Sequence, residues 1–146
     1  MPQGLPRFEA TDGIGRITLD DPATLNSLGP AVFARLGEIF AEVRERADRD
    51  VFALVLTGSG RGFCAGAGLH DMVEMARQSG DAVGQTIGSW TQAEGTPVVL
   101  AWADLPVPMV TAVNGVTAGI GVSLALAGDV VIAARSASFK LPFLTG

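Results

Sequence analysis

MVTAVNGVTAGIGVSLALAGD, residues 109 to 129, changes character twice within its length. Met109 to Val113 is a short apolar run rich in β-branched residues, which suits a buried strand. Asn114-Gly115 breaks it with a turn signal. Past Gly119-Ile120-Gly121 the pattern becomes Val122, Leu124, Ala125 and Leu126, which suits a buried helix. A strand feeding a glycine-rich turn into a helix leaves backbone N–H groups free at the helix start. Those donors, with the positive end of the helix dipole, attract an anion or a developing oxyanion.

The same grammar occurs upstream. Leu54-Val55-Leu56-Thr57 reads as a strand, and Gly58, Gly60, Gly62, Gly66 and Gly68 punctuate the loop behind it. His70 to Gln78 then reads as a short helix. Two such units permit two backbone N–H groups to meet on one oxygen.

The remaining elements extend this alternation. Phe8 to Ala10 and Gly15 to Leu19 flank Thr11-Asp12-Gly13 as an antiparallel hairpin. Pro30 opens a helix that ends near Asp48, with Phe33, Leu36, Ile39, Phe40 and Val43 on one face. Phe52 to Thr57 is expected to be buried on both faces, as in a parallel sheet. Val83, Ile87, Trp90 and Val98 suggest another helix, weakened by Gly84, Gly88 and Gly95 and kinked or interrupted at Pro97. Val130 to Ala134 reads as a strand, with Asp129 capping or positioning it. Strands alternating with helices predict an α/β fold.

A chain of 146 residues suffices for one domain spanning 1–146, and no linker composition divides it. Apolar residues make up 48%, charged residues 17%, and there are 19 glycines, a composition for dense packing, with subunit contacts covering some apolar surface. A formal charge of −5 disfavours nucleic-acid backbones and anionic membranes as partners. Cys64 is the single cysteine, so no internal disulfide forms and a cysteine metal cluster is disfavoured. It reads as a small buried filler, and a cytoplasmic setting fits best. The stretch between Asp104 and Asp129 lacks charge and is long enough to span a bilayer, but Pro106, Pro108 and Asn114-Gly115 argue against one continuous helix. The ending Phe143-Leu144-Thr145-Gly146 looks like the middle of an element, so an N-terminal portion of a longer protein is expected.

Gly62-Phe63-Cys64-Ala65-Gly66-Ala67-Gly68-Leu69 resembles one signature of the enoyl-CoA hydratase/isomerase (crotonase) superfamily. Pro108 to Gly115, with Ala118-Gly119-Ile120-Gly121 and Leu124 to Asp129, resembles the second, and Asn26-Ser27-Leu28 sits where the family often has N-A-L. The resemblance covers nearly the whole chain. It implies a spiral of ββα repeats whose C-terminal helical part lies outside this sequence, acyl-CoA thioester substrates, and a homotrimer or hexamer. It further implies an oxyanion hole of two backbone N–H groups, on Ala67 and Ile120. Coenzyme A, part of the substrate and the sole cofactor-like group expected, would run along Ala65, Gly66, Ala67, Gly68, Leu69 and His70, with Leu28 nearby. No metal is implied.

The departures narrow the chemistry. Ser123 stands where family hydratases place one catalytic glutamate, and Phe143 near the position of the other. Gly68 replaces a frequent aspartate and Ile120 a glycine. Water addition needs acid–base groups on both sides of the forming bond, so the resemblance favours an isomerase shifting a double bond with one carboxylate, or the related ring-opening isomerase of phenylacetate degradation. That carboxylate is expected just beyond Gly146. Hydration, thioester hydrolysis, decarboxylation and a non-catalytic CoA-binding subunit are the alternatives. Plainer readings apply to several residues. His70 suits the surface or the CoA edge, Ser123 a helix face, and Asp71 and Glu74 the start of a solvated helix. Neither Gly58-x-Gly60 nor Gly119-x-Gly121 continues into a full dinucleotide fingerprint.

Overall fold

The computed structural model describes residues 4–68, 73–74, 77–78 and 83–141. The chain opens with β1 (Arg7–Thr11) and β2 (Ile14–Leu19), an antiparallel hairpin. Its two-residue turn has Asp12 at φ 51° and Gly13 at φ 84°, the left-handed pair that matches the strand twist. A single 3-10 turn at Pro22–Thr24 leads to α1 (Pro30–Arg46). Pro30 starts α1, and its buried residues are Phe33, Leu36, Ile39, Phe40 and Val43, the face expected from spacing.

Three strand pairs follow. β3 (Ala53–Gly58) is followed by β4 (Gly62–Cys64), β5 (Met109–Val113) by β6 (Val116–Ala118), and β7 (Val130–Ala133) by β8 (Ser138–Lys140). The first member of each pair joins a five-stranded sheet, β1-β2-β3-β5-β7, and the second joins a three-stranded sheet, β4-β6-β8. Between pairs the chain crosses in helices: α2 (Val83–Trp90) and α3 (Thr96–Ala103) after β4, α4 (Ile120–Leu126) after β6. This is the expected α/β spiral of strand–strand–helix units.

Four local expectations change. β4 and β6 are strands in what the sequence suggested were plain glycine loops. They are three residues each, and their ladder is with each other and β8 rather than with the main sheet. β3 is flanked by parallel neighbours, yet only Leu54 and Leu56 are fully buried. Val55 and Thr57 are half-covered, and Phe52 is 56% exposed. The helical run from Val83 to Ala103 is continuous, and its irregular turn lies ahead of Pro97. Thr91–Gly95 forms a π-helical turn, and Pro97 follows it as the second residue of α3. Finally α4 has seven residues, so its dipole is weaker than a full helix would give. The predicted helix over His70–Gln78 falls largely outside the described residues.

The core lies between the five-stranded sheet and the helices. Ile17, Leu19, Leu54, Leu56 and Met109 meet Leu36, Ile39 and Phe40 of α1, Trp102 of α3 and Leu124 of α4. Phe40 and Trp102 pack with ring centroids 5.9 Å apart. The sheet's far edge is different: all four residues of β7 are exposed, Ile132 by 60%, and Phe139 of β8 is 44% exposed. Among the described residues no helix is long and apolar enough to cross a membrane. The uncharged stretch after Asp104 is divided among β5, β6 and α4.

Candidate functional site

β4 and β6 run parallel as hydrogen-bonded neighbours, with Gly62 opposite Val116 and Cys64 opposite Thr117. Parallel neighbours end at the same edge, about 4.8 Å apart. The segments leaving that edge are Ala65-Gly66-Ala67-Gly68 and Gly119-Ile120-Gly121, so the two glycine signatures emerge side by side. Ligands of parallel sheets collect at such carboxyl ends.

Glycine makes the approach possible. Gly66 has φ +86°, and a Cβ there would lie 2.6 Å from the carbonyl oxygen of Ala118. Gly121 is equally tight, since a Cβ would meet the Cys64 carbonyl oxygen at 2.6 Å and its sulfur at 2.8 Å. Gly119 adopts φ 54°, ψ −128°, which turns the chain from β6 into α4.

The first loop is held from behind by the segment Leu25–Leu28. Ala65 N donates to Leu25 O at 2.9 Å, Leu28 N to Gly66 O at 2.7 Å, and Gly68 N to Leu28 O at 3.0 Å. This is parallel-bridge pairing of Leu28 with Ala67, and in it the Ala67 N–H faces away from Leu28. Among the described residues, no acceptor is bonded to the Ala67 N–H. Ile120 is the first residue of α4, whose N–H has no acceptor within its helix. On the other loop, Gly119 N is taken by Lys140 O at 3.1 Å and Val122 N by Gly119 O at 3.0 Å.

The other expected site residues are placed as follows. Ala65, Gly66 and Gly68 line the same loop as Ala67. Leu28 sits directly behind it, but its side chain is in the core and its backbone is engaged by Gly66 and Gly68. Leu69 and His70 lie outside the described residues, as do Asp71 and Phe143. Ser123 is exposed on α4, and the Ile120 side chain leans on Gly95 of the π turn beside Phe33. Phe33 in turn packs on Trp90, ring centroids 5.6 Å apart, so the second loop has an apolar flank. Cys64 is buried at the end of β4, as expected of a filler. Loss of hydration pushes its thiol up to about 12, opposed in part by a hydrogen bond with the Gly66 backbone. Asp129 accepts from Met109 N at 2.8 Å, so it ties the start of β5 as well as preceding β7.

Sequence reasoning placed Asn26 in a family motif and Asn114 in a turn, but missed that both side chains shape this site. Both side chains bond the turn between β3 and β4.

Comparison with known proteins agrees with this architecture. The chain is 42% identical over 133 residues to a 1,2-epoxyphenylacetyl-CoA isomerase of Escherichia coli, a match covering 90% of this chain and 48% of that protein. It is 41% identical over 137 residues to a probable enoyl-CoA hydratase of Rhodobacter capsulatus, covering 94% and 49%. A crystal structure of enoyl-CoA hydratase from Bacillus anthracis superimposes with TM-score 0.82 at 31% identity, covering 96% of this chain and 51% of that one. The chain thus spans about half the length of these relatives. Residues 9–145 match the enoyl-CoA hydratase/isomerase family model, and the chain belongs to that family.

Proposed function

We propose that the protein carrying this chain processes acyl-CoA thioesters, shifting a double bond in an enoyl-CoA through an enolate held by the amides of Ala67 and Ile120. The carrying observation is the contact of the two loops at Gly66 and Ala118, on the shared edge of β4 and β6. Among the described residues, the amides of Ala67 and Ile120 are the next donors along each loop that are not consumed by neighbouring backbone.

The chemistry fits donors rather than acids at this point. Removing a proton from C2 of a 3-enoyl thioester spreads charge onto the carbonyl oxygen. Returning a proton at C4 moves the double bond to C2–C3, and no atom is added or lost. Fixed N–H donors aimed at that oxygen lower the barrier by about 3 kcal/mol each. The CoA portion would lie along Ala65, Gly66, Ala67, Gly68, Leu69 and His70, in front of Leu28, and no separate cofactor is needed. A cytoplasmic homotrimer or hexamer completes the reading.

Neither loop contains a carboxylate, and Ser123 occupies the position of a hydratase glutamate. That favours isomerisation over two-carboxylate hydration. Hydration is the second reading, favoured by relatives named as hydratases at nearly the same identity. Assaying the full-length protein with 3-enoyl-CoA and 2-enoyl-CoA decides between them. Isomer formation supports the proposal; clear hydration without isomerisation rejects the subclass, and no turnover with tight acyl-CoA binding rejects catalysis.

A further inference from the structure

Two asparagine side chains grip one carbonyl oxygen at the root of the first loop. Asn26 Nδ2 donates to Gly62 O at 2.9 Å, and Asn114 Nδ2 donates to the same oxygen at 3.0 Å. Each amide also holds a second carbonyl of the β3–β4 turn: Asn26 that of Ser59 at 3.0 Å, Asn114 that of Gly60 at 3.0 Å. Their oxygens are occupied too. Asn26 Oδ1 accepts from Asp21 N at 2.8 Å and Ser59 Oγ at 3.4 Å, and Asn114 Oδ1 accepts from Gly58 N at 3.0 Å. A carbonyl has two lone pairs, and both of Gly62's are directed at fixed donors.

The placement is specific. Asn26 is 2% exposed and sits in the left-handed region at φ 58°, a conformation asparagine tolerates better than most residues. It lies within the segment whose backbone holds Ala65, Gly66 and Gly68, while Asn114 closes β5 and precedes β6. The clamp therefore ties together the segments that carry the two loops. Gly58 leaves the room for it: a Cβ there would stand 2.8 Å from Asn26 Nδ2 and 2.5 Å from Gly62 O.

We propose that Asn26 and Asn114 are positioning residues, which by holding Gly62 O from two sides set the end of β4 against β6 and so place the Ala67 amide relative to that of Ile120. The inference rests on the function proposed above, so its test has one readout that needs turnover and one that does not. Asn26→Asp and Asn114→Asp in the full-length protein keep the accepting oxygen and remove the donor to Gly62. Each is expected to lower kcat by about tenfold or more, with KM within about threefold. The double variant should lose less than the product of the singles, because both donors act on one oxygen. Independently of substrate, amide hydrogen exchange at Cys64–Gly68 should quicken about tenfold while α1 is unchanged. A wild-type kcat in either variant, unaltered exchange in that loop, or exchange raised equally throughout the chain overturns the proposal. If the wild-type protein turns over no enoyl-CoA, the proposed function fails, and the exchange pattern alone decides whether the clamp holds the loop.

Discussion

Replacing Gly66 by alanine tests the site's central contact. Two costs arise at that position. Its φ of +86° lies in the region where a Cβ costs about 1–2 kcal/mol. The new methyl would also sit 2.6 Å from the Ala118 carbonyl oxygen, well inside ordinary contact near 3.4 Å, so the loops must part by roughly 0.8 Å. Both partners are backbone, so no rotamer change relieves the overlap, and overpacking of this kind costs about 1–3 kcal/mol. The total of about 2–5 kcal/mol is below the stability of most domains, and the variant should fold. Its turnover should suffer more, because displacing a donor by close to 1 Å costs about a hundredfold. Gly13→Ala is the matched control. Gly13 has φ +84° and its Cβ would meet the exposed Phe52 ring, which can swing aside, far from the two loops in the β1–β2 turn. Urea unfolding and steady-state turnover of enoyl-CoA, measured on both variants of the full-length protein, separate strain from position. A folded Gly66→Ala protein with wild-type kcat, or Gly13→Ala losing as much activity, would refute the reasoning.

Three further outcomes follow from burial. Leu36 is fully buried under the sheet, so Leu36→Ala should lower unfolding free energy by about 2–5 kcal/mol by urea titration. The buried Thr111 hydroxyl has no hydrogen-bond partner among the described residues, and Thr111→Val should raise stability by about 1 kcal/mol, read as a higher Tm. The buried Cys64 thiol keeps its proton to about 12 when folded, against 9.0 as an ordinary thiol. Above pH 9 the unfolded chain binds fewer protons than the folded one, so this contribution is complete below that pH and lost toward pH 12. Urea midpoints should fall as pH rises from 8 to 10, and Cys64→Ala should flatten that slope; an unchanged slope would place its cause elsewhere.

The periodic elements were legible in the sequence because one residue's neighbours there are also its neighbours in space. The five apolar positions of α1, the Asp12-Gly13 hairpin and the run Met109–Val113 all belong to that class. β4 and β6 escaped notice because three residues give too short a pattern to distinguish a strand from a glycine loop. The asparagine clamp was less accessible still, since Asn26 and Asn114 reach Gly62 across sequence separations of 36 and 52 residues. Only the pairing of strands brings those groups together.

A site assembled from main-chain donors tolerates side-chain change in a particular way. The Ile120 side chain leaves toward Gly95 and Phe33, so it would not obstruct the N–H donor proposed there. The Gly68 N–H, bonded to Leu28 O, holds the first loop without help from any side chain at that position. What such a site cannot tolerate is bulk at the points where backbones touch, among them Gly58, Gly66, Gly115 and Gly121. Proton transfer has no such freedom, since a carboxylate cannot be replaced by an amide that only donates. Under the proposed function the choice between isomerisation and hydration would rest on acids placed around the two loops, and Ser123 on α4 supplies no carboxylate there.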